Sequence, residues 1–161
     1  MAVSAYLKID GVEGESLTKG KEKQIEVLSF SWGASQHITL ASGGGKSGGK
    51  ASASDLSIMK KVDKASPKLY LACCQGKAYP TATITCDKAM GESGQQDFYK
   101  VILTNAFVSS IQWSGSSDVP MESVSFTAEK VQIEYAADSS DNKSLEGFTN
   151  ASWDFAKSVG A

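Results

Sequence analysis

The chain has 161 residues, 41% of them hydrophobic, and this length and composition predict a single domain with its own core. The formal net charge is −2, from 16 basic and 18 acidic residues, and every basic residue is a lysine. Without a strong positive field, and without arginine to contact phosphates, the chain is not expected to bind nucleic acid or an anionic membrane.

The amino-terminal sequence carries no secretory signal, because MAVSAYLKIDGVEGES lacks a charged start followed by an apolar run. No run of about twenty apolar residues occurs that could span a membrane. We therefore expect the protein to fold in the cytosol. Cys73, Cys74 and Cys86 are an odd number and two are adjacent, which favours reduced, mostly buried thiols over a disulfide framework.

The first predicted element is a strand over residues 3–9, in which apolar and polar side chains alternate. It ends at the turn pair Asp10-Gly11, and a polar loop follows over residues 12–23. The alternation then resumes over residues 25–40, which is longer than most strands. Its apolar parity shifts near Val27, which predicts a bulge that bends the strand so that it serves two sheets.

A glycine-rich segment, ASGGGKSGGK, follows this long strand over residues 41–50. Its spacing suggests a phosphate-binding loop, since Gly44 to Lys50 gives glycine, four residues, glycine and lysine. However, Ala51 stands where a hydroxyl group should hold magnesium, and the next residues alternate like a strand. The segment is interpreted as a flexible polar loop.

One helix is predicted after a strand over residues 56–62. Ser66-Pro67 supplies an N-cap residue and a proline at the first helical position, and Gly76 stands where a C-terminal cap would fall. Such a helix spans about 15 Å, so we expect it to flank a sheet.

The remaining predicted elements are mostly strands, over residues 81–86, 98–113 and 121–135, with a short strand or anchor at residues 153–155. Residues 98–113 are apolar on both parities, which predicts a second face covered by the helix or by another subunit. A parity switch within residues 121–135 predicts another bulge. Together the elements predict an all-β domain with one short helix, built as a sandwich or a small barrel.

Catalytic and metal-binding patterns are absent from the sequence. His37 is the only histidine, it lies on the serine-rich side of the long strand, and no nucleophile-elbow motif accompanies it. Gly91-Glu92-Ser93-Gly94 lacks the spacing of that motif, and no C-x-x-C pair supports a zinc site. We therefore predict neither an enzyme nor a bound metal or cofactor.

Charged and aromatic residues leave two weaker alternatives open. Carboxylates in polar segments are interpreted as solvated charges rather than as catalytic pairs: Asp10, Glu13, Glu15, Glu122 and Glu129. An enzyme with carboxylates assembled across loops remains the weakest alternative. Three tryptophans could stack on a sugar, although such residues more often pack in a core or an interface: Trp32, Trp113 and Trp153.

An ordered set of short motifs resembles the haemolysin-coregulated protein (Hcp) family, the tube proteins of bacterial type VI secretion systems. The motifs span nearly the whole chain and are YLKIDG at 6–11 with GES at 14–16, VLSFSWG at 27–33, VDKASP at 62–67, ESVSF at 122–126 and WD at 153–154. The resemblance implies one Hcp-like domain over residues 1–161, a small two-sheet β-barrel similar to a phage tail-tube protein.

The resemblance also implies an assembly. Family members form hexameric rings that stack into a tube, which a sheath surrounds, a spike protein caps and contraction expels. Some members carry effector proteins in the lumen. The expected partners are thus copies of the chain itself, the spike, the sheath and effectors. We expect residence in the bacterial cytoplasm during assembly and then secretion, without a signal peptide, into the medium or a target cell. Since Ala161 follows WD closely, no fused effector is expected.

Two sets of residues are the candidate sites. The polar side of the long strand is expected to face the lumen with Ser29, Ser31, Ser35 and Thr39. The glycine-rich loop is expected to reach a neighbouring subunit or ring with Ala41, Ser42, Gly43, Gly44, Gly45, Lys46, Ser47, Gly48, Gly49 and Lys50. The main alternative function is a monomeric ligand-binding β-sandwich that uses its tryptophans.

Overall fold

The structure is a computed structural model and describes residues 2–40 and 46–161. One α-helix, α1 (Ser66–Gln75), accompanies the strands. The strands are β1 (Val3–Ile9), β2 (Ile25–Val27), β3 (Ser29–Ser31), β4 (Ala34–Leu40), β5 (Lys46–Ala53), β6 (Leu56–Lys61), β7 (Ala78–Ala89), β8 (Gln95–Ser114), β9 (Met121–Tyr135), β10 (Thr149–Asp154) and β11 (Val159–Gly160). No helix of the described chain is long and apolar enough to cross a membrane.

The strands form one branched sheet and one separate hairpin. The main sheet has the order β11-β10-β9-β8-β7-β1-β2, and every pairing in it is antiparallel. At residues 121–126 of β9 the sheet branches, because β6 pairs there and β3 pairs with β6. We call β3, β6 and residues 121–126 and 110–114 the branch sheet. The hairpin consists of β4 and β5.

The predicted fold class, mostly β with one flanking helix, is confirmed. The main sheet and the branch sheet do not close into a barrel by strand pairing among the described residues. In this part of the chain, strand β2 pairs only with β1 of the main sheet, and β3 pairs only with β6 of the branch sheet, so no pairing joins β2 to β3. Leu28 joins the two strands and donates its backbone N–H to Met59 O at 2.8 Å. The predicted bend near Val27 is therefore where the chain passes from one sheet to the other.

The core lies between the sheets and under the helix. Its most deeply buried side chains come from both layers and from α1, and include Leu7, Ile25, Ile58, Leu69, Ile84, Val101, Val124 and Phe126. Burying such side chains contributes roughly 1.5–3 kcal/mol each, so this single core accounts for most of the driving force for folding.

Helix α1 ends at the predicted residue, but its N-cap differs by one residue from the prediction. Pro67 lies in the first turn, and Gly76 adopts the left-handed conformation (φ 63°) that ends a helix without a Cβ penalty. Ala65 is the N-cap, and it has no side-chain cap. Ser66 is therefore not the N-cap as predicted; it is the first helical residue, and its hydroxyl group turns inward.

The apolar residues of β8 lie on both parities mainly because irregularities along the strand change which parity faces the core. Two covered faces are not needed to explain the pattern. Val101 and Leu103 are buried on one parity, and Ala106 and Val108 on the other. Asn105 between them has a positive φ of 56°, and a bulge separates Val108 from Ser110. In β9 the buried parity also switches, as predicted, between Phe126 and Val131.

Candidate functional site

The β4–β5 hairpin projects from the body of the protein, and we call it the arm. Every residue of β4 is exposed, including Ile38 at 58% and Leu40 at 73%. Backbone pairing and a few polar contacts hold the two strands together, such as Gln36 Nε2 donating to Gly49 O at 2.9 Å. Seven residues of strand extend about 23 Å, so the arm reaches well beyond the core.

The arm corrects the prediction of a flexible loop over residues 41–50. Lys46 to Lys50 belong to strand β5, because β4 offers a pairing edge that outweighs the low strand propensity of the glycines. Ala41, Ser42, Gly43, Gly44 and Gly45 lie outside the described residues. The structure agrees with the rejection of a phosphate-binding loop, since Lys50, the lysine of that spacing, is within a strand.

The branch sheet has two open edges. Its outer strand β3 pairs only with β6 among the described residues, and β7 accompanies β8 no further than Phe107. Residues 110–114 of β8 are therefore paired on one side only, with β9. Because β3, β6, β9 and β8 alternate in direction, the edges at β3 and β8 run antiparallel to each other. Open edges present unpaired N–H and C=O groups to other strands.

One face of the branch sheet is lined mainly by serines, with Met59 and Gln112 among them. The register aligns Ser31, Ser57, Ser125 and Ser110 across the four strands. The Ser57 and Ser125 hydroxyl groups lie 2.9 Å apart. The opposite face carries the buried Ile58 and Val124.

The structure divides the predicted lumen residues between two places. Ser29 and Ser31 are exposed on β3, whereas Ser35 and Thr39 are exposed on the arm. Sequence reasoning missed the serines that extend the β3 face. The alternation Met121-Glu122-Ser123-Val124-Ser125-Phe126, with serine on one parity, was the signal available for them.

Residues considered for catalysis are dispersed. His37 lies on the exposed arm, where the register of β4 against β5 shifts. Cys86 is buried, and burial, with a smaller effect of Asp87, raises the pKa of its thiol to about 11, so it is a poor nucleophile. Cys74 is exposed, contrary to the expectation of mostly buried thiols. Among the described residues, no three His, Cys, Asp or Glu side chains come together as metal ligands.

The tryptophans do not form one stacking platform. Trp113 packs edge-on against Tyr70 of α1, with ring centroids 5.5 Å apart, and no aromatic contact of the described residues joins two tryptophans. Trp32 instead lines a cavity of about 320 Å³ at the base of the arm, together with Phe155 and Leu103.

A buried ion pair contradicts the interpretation of Glu122 as a solvated charge. Glu122 and Lys60 are both 0% exposed, with Lys60 Nζ 2.6 Å from Glu122 Oε2. The signal was present in the sequence, since Glu122 shares the parity of the buried Val124 and Phe126. Lys60 likewise shares the parity of Leu56 and Ile58.

Comparison with known structures first defines the class of the fold. Over 99% of its length the chain superposes on a solved type six secretion system protein, with a TM-score of 0.89, 34% identity and 100% of that chain covered. It also superposes on Hcp1 of Salmonella typhimurium, with a TM-score of 0.82, 31% identity and both chains fully covered. The fold is thus that of type VI secretion proteins.

Sequence comparison then gives the family. Residues 6–135 match the family described as type VI secretion system effector, Hcp. The chain is also 37% identical to Protein hcp1 of Pseudomonas aeruginosa over 163 aligned positions that cover both sequences completely. The chain belongs to the Hcp family of type VI secretion proteins, as its motifs predicted.

Proposed function

We propose that the chain is the repeating subunit of the type VI secretion inner tube, a structural protein that assembles as hexameric rings. The rings stack and are expelled, and their lumen carries effector proteins. The membership in the Hcp family supports the secretion role. The main structural support for a hexameric ring is that the branch sheet has two open edges, at β3 and at β8.

A ring follows from how these edges match. The edge at β8 and the edge at β3 run antiparallel, so β8 of one copy can pair with β3 of the next and continue the alternation. This contact is head-to-tail, because it uses different edges on the two copies. A head-to-tail contact closes into a ring when the rotation between copies is a whole fraction of a turn without a shift along the axis, and a rotation of 60° gives six copies. Pairing also removes the edges as sites for uncontrolled association.

The polar face of the branch sheet is proposed to line the lumen. Ser29 and Ser31 of the predicted set would continue into Ser57, Ser123 and Ser125, which lie on the same face. The short hydroxyl side chains would keep most of this wall wet, and Met59 and Gln112 would be its longer side chains. Ser35 and Thr39 remain lumen candidates only if the arm lies along the same wall.

The arm is proposed to contact a neighbouring subunit or ring. Ile38 and Leu40 are large apolar side chains that the body of their own chain leaves exposed. Burying them against another copy would contribute about 25 cal/mol per Å² of apolar surface. The glycine-rich residues 41–50 are proposed to take part in the same contact. The further proposed partners of the tube are the sheath, spike and effector proteins.

Light scattering tests the ring directly. The expected mass is six times the 17.0 kDa of one chain, with rings visible in micrographs. A monomer would contradict the ring and favour the alternative, a monomeric ligand-binding β-sandwich. The cavity beside Trp32 and Phe155 is the feature that such a protein would use.

Cross-linking tests the edge pairing. In a chain with Cys74→Ser, the changes Ser31→Cys and Ser110→Cys place a thiol on each open edge. The two positions lie three strand spacings apart within one chain, about 14 Å, so a bismaleimide of about 8 Å joins them only between copies. A ladder ending at the hexamer is expected. The neighbouring pair Ser57→Cys and Ser125→Cys is the control and should cross-link within the chain.

The arm is tested by Ile38→Asp with Leu40→Asp. A charge at each exposed apolar position should weaken assembly without unfolding the chain. His37→Asp is the matched control for Ile38→Asp alone, because each adds one negative charge at an exposed position of the same strand and the two positions have opposite parity. Equal assembly of both variants would show that the apolar side of the arm makes no contact with another copy.

A further inference from the structure

We propose that the buried cluster of Lys60, Glu122, Ser66 and Asp63 is a positional lock for helix α1. It fixes where the helix sits on the branch sheet, and its contribution is to the uniqueness of that arrangement rather than to net stability. Each member comes from a different place: β6, β9, the first turn of α1 and the segment between β6 and α1.

Lys60 is the centre of the cluster. Its ammonium group is 2.6 Å from Glu122 Oε2, 3.0 Å from Asp63 Oδ1 and 3.2 Å from Ser66 Oγ. It also donates to the backbone carbonyl of Lys61 at 3.0 Å. These contacts tie β6 at once to β9 and to the start of the helix.

Ser66 connects the helix to the sheet. Its hydroxyl group donates to Glu122 Oε2 at 2.5 Å and accepts the backbone N–H of Asp63 at 3.0 Å. Asp63 Oδ1 in turn accepts the backbone N–H of Ala65 at 2.9 Å, one of the free N–H groups at the helix start. The helix therefore begins at a fixed point above the Lys60–Glu122 pair.

A second contact fixes the rotation of the helix. Tyr70 lies four residues after Ser66, so both side chains are on one face of α1. Tyr70 packs on Trp113, and Trp113 is the residue that β8 places directly opposite Glu122. Ser66 thus contacts Glu122, and Tyr70 contacts Trp113, its cross-strand neighbour. The helix is therefore held on the sheet at two points.

The composition of the cluster argues for specificity. Removing two charges from water costs several kcal/mol per ion, and an apolar pair of similar volume often stabilises a protein as well or better. Moreover, Glu122 Oε1 is buried and has no hydrogen-bond partner among the described residues. A site selected for stability alone would leave neither penalty. A polar site admits only the helix position that satisfies its hydrogen bonds, whereas an apolar one would tolerate several.

The consequence for assembly rests on the proposed ring. Trp113 belongs to residues 110–114, the open edge at which the next copy would pair. By holding Tyr70 against Trp113, the lock would keep this edge in the form that pairing requires. Loss of the lock should then reduce hexamer formation even in a chain that remains folded.

The first test replaces the pair with apolar residues, Lys60→Met with Glu122→Leu. In single chains, at a concentration at which light scattering shows no assembly, we expect the urea midpoint to equal or exceed that of the wild type and the amides of α1 to exchange at least tenfold faster. At higher concentrations the variant should form fewer hexamers than the wild type. Unchanged exchange in α1 would overturn the proposal. A much lower midpoint would also overturn it, because the pair would then serve stability.

Ser66→Ala keeps the ion pair and removes only the link to the helix, so it tests the lock separately from the contribution of the ion pair to stability. Faster exchange is expected in α1 and not in β1 or β7, with altered emission of Trp113 in a chain with Trp32→Phe and Trp153→Phe. Lys21→Met with Asp97→Asn is the control for the double variant of Lys60 and Glu122. It removes an ion pair of 2.8 Å, close to the 2.6 Å of Lys60 and Glu122, that lies away from the helix. Ser66→Ala with wild-type exchange and emission would refute the lock. A wild-type chain that is monomeric would refute the ring instead.

Discussion

Two hairpins of the same chain have opposite relations to the core. In the β7–β8 hairpin, alternate residues enter the core, with Ile84 1% exposed and Val101 fully buried. In the arm, the corresponding apolar residues Ile38 and Leu40 remain exposed, although the strands pair with the same antiparallel geometry. Backbone pairing is therefore common to both hairpins, and side-chain burial distinguishes them.

This difference shows where the arm must obtain its stability. An isolated two-stranded hairpin is marginally stable in water, because a ladder of exposed hydrogen bonds barely offsets the ordering of the chain. The β7–β8 hairpin is stabilised by the core of its own chain. The arm lacks that contribution, so its apolar residues gain burial only from another molecule.

The largest expected effect is the difference in the free energy of unfolding between the same substitution, isoleucine to alanine, in the two hairpins. Ile84→Ala should lower the free energy of unfolding by about 2–5 kcal/mol, because it leaves a cavity in the core. Ile38→Ala should change it by less than about 0.5 kcal/mol, because the side chain is already in water. Urea unfolding of both variants checks this, at a concentration at which light scattering shows single chains.

Assembly has to be excluded in that comparison because binding stabilises the folded state by mass action. A loss above 1.4 kcal/mol on Ile38→Ala in single chains, a tenfold change in the equilibrium constant, would mean that the arm packs on its own body. The contrast between the hairpins would then be wrong.

A second, smaller contrast comes from two glycines. A Cβ at Gly14 would lie 2.4 Å from Gln24 O and 2.6 Å from Ile25 Cα, so backbone has to move, and Gly14→Ala should cost about 1–3 kcal/mol. A Cβ at Gly49 in the arm would lie 3.0 Å from His37 O, and the exposed arm can adjust. Gly49→Ala should stay within about 0.5 kcal/mol of the wild type in thermal unfolding. Equal losses would show that the arm is as rigidly held as the body.

Local patterns of the sequence predicted the body well. The alternation of residues 3–9 gave β1 with its observed bounds, and Ser66-Pro67 with Gly76 located α1. These elements are predictable because side-chain burial and backbone caps act over a few residues. The bend near Val27 was also visible, as a parity shift.

Long-range pairing was not predictable in the same way. Lys46 to Lys50 have the composition of a loop, and only the edge offered by β4 makes them a strand. The parity of Lys60 and of Glu122 indicates that each is buried, but the two residues are distant in sequence, so only the register of β6 and β9 shows that they pair with each other. The open edges, which support the candidate site, depend on which strands lack partners, and no local pattern contains that information.

A third prediction concerns a carboxylate in the β7–β8 hairpin. Burial raises the pKa of Asp87, which is 3% exposed, against the opposing effect of Lys21, and Asp97 raises it slightly further. The folded state then binds more protons than the unfolded state at pH values above 3.8, so stability falls as the pH rises through that window. Asp87→Asn removes this titration. Its stability relative to the wild type should increase from pH 3.5 to 7.

Thermal unfolding at a series of pH values checks the sign. Glu92→Gln is a suitable control, because Glu92 is an exposed carboxylate near the tip of the same hairpin. A stability difference for Asp87→Asn that decreased with rising pH would mean that Lys21 outweighs burial.

The smallest effect on global stability is expected at Gln36 in the arm. Its side-chain N–H donates to Gly49 O across the register shift of β4 and β5, in an exposed position. Gln36→Ala should leave the urea midpoint unchanged, since the arm contributes little to the core, yet accelerate amide exchange in β4 and β5. Exchange by local opening reports the stability of a segment separately from that of the whole protein. If assembly buries the arm, the same substitution should have no effect on exchange in hexamers, which would locate the missing stabilisation in the neighbouring copy. Fast exchange in both forms would instead show that the arm stays exposed after assembly.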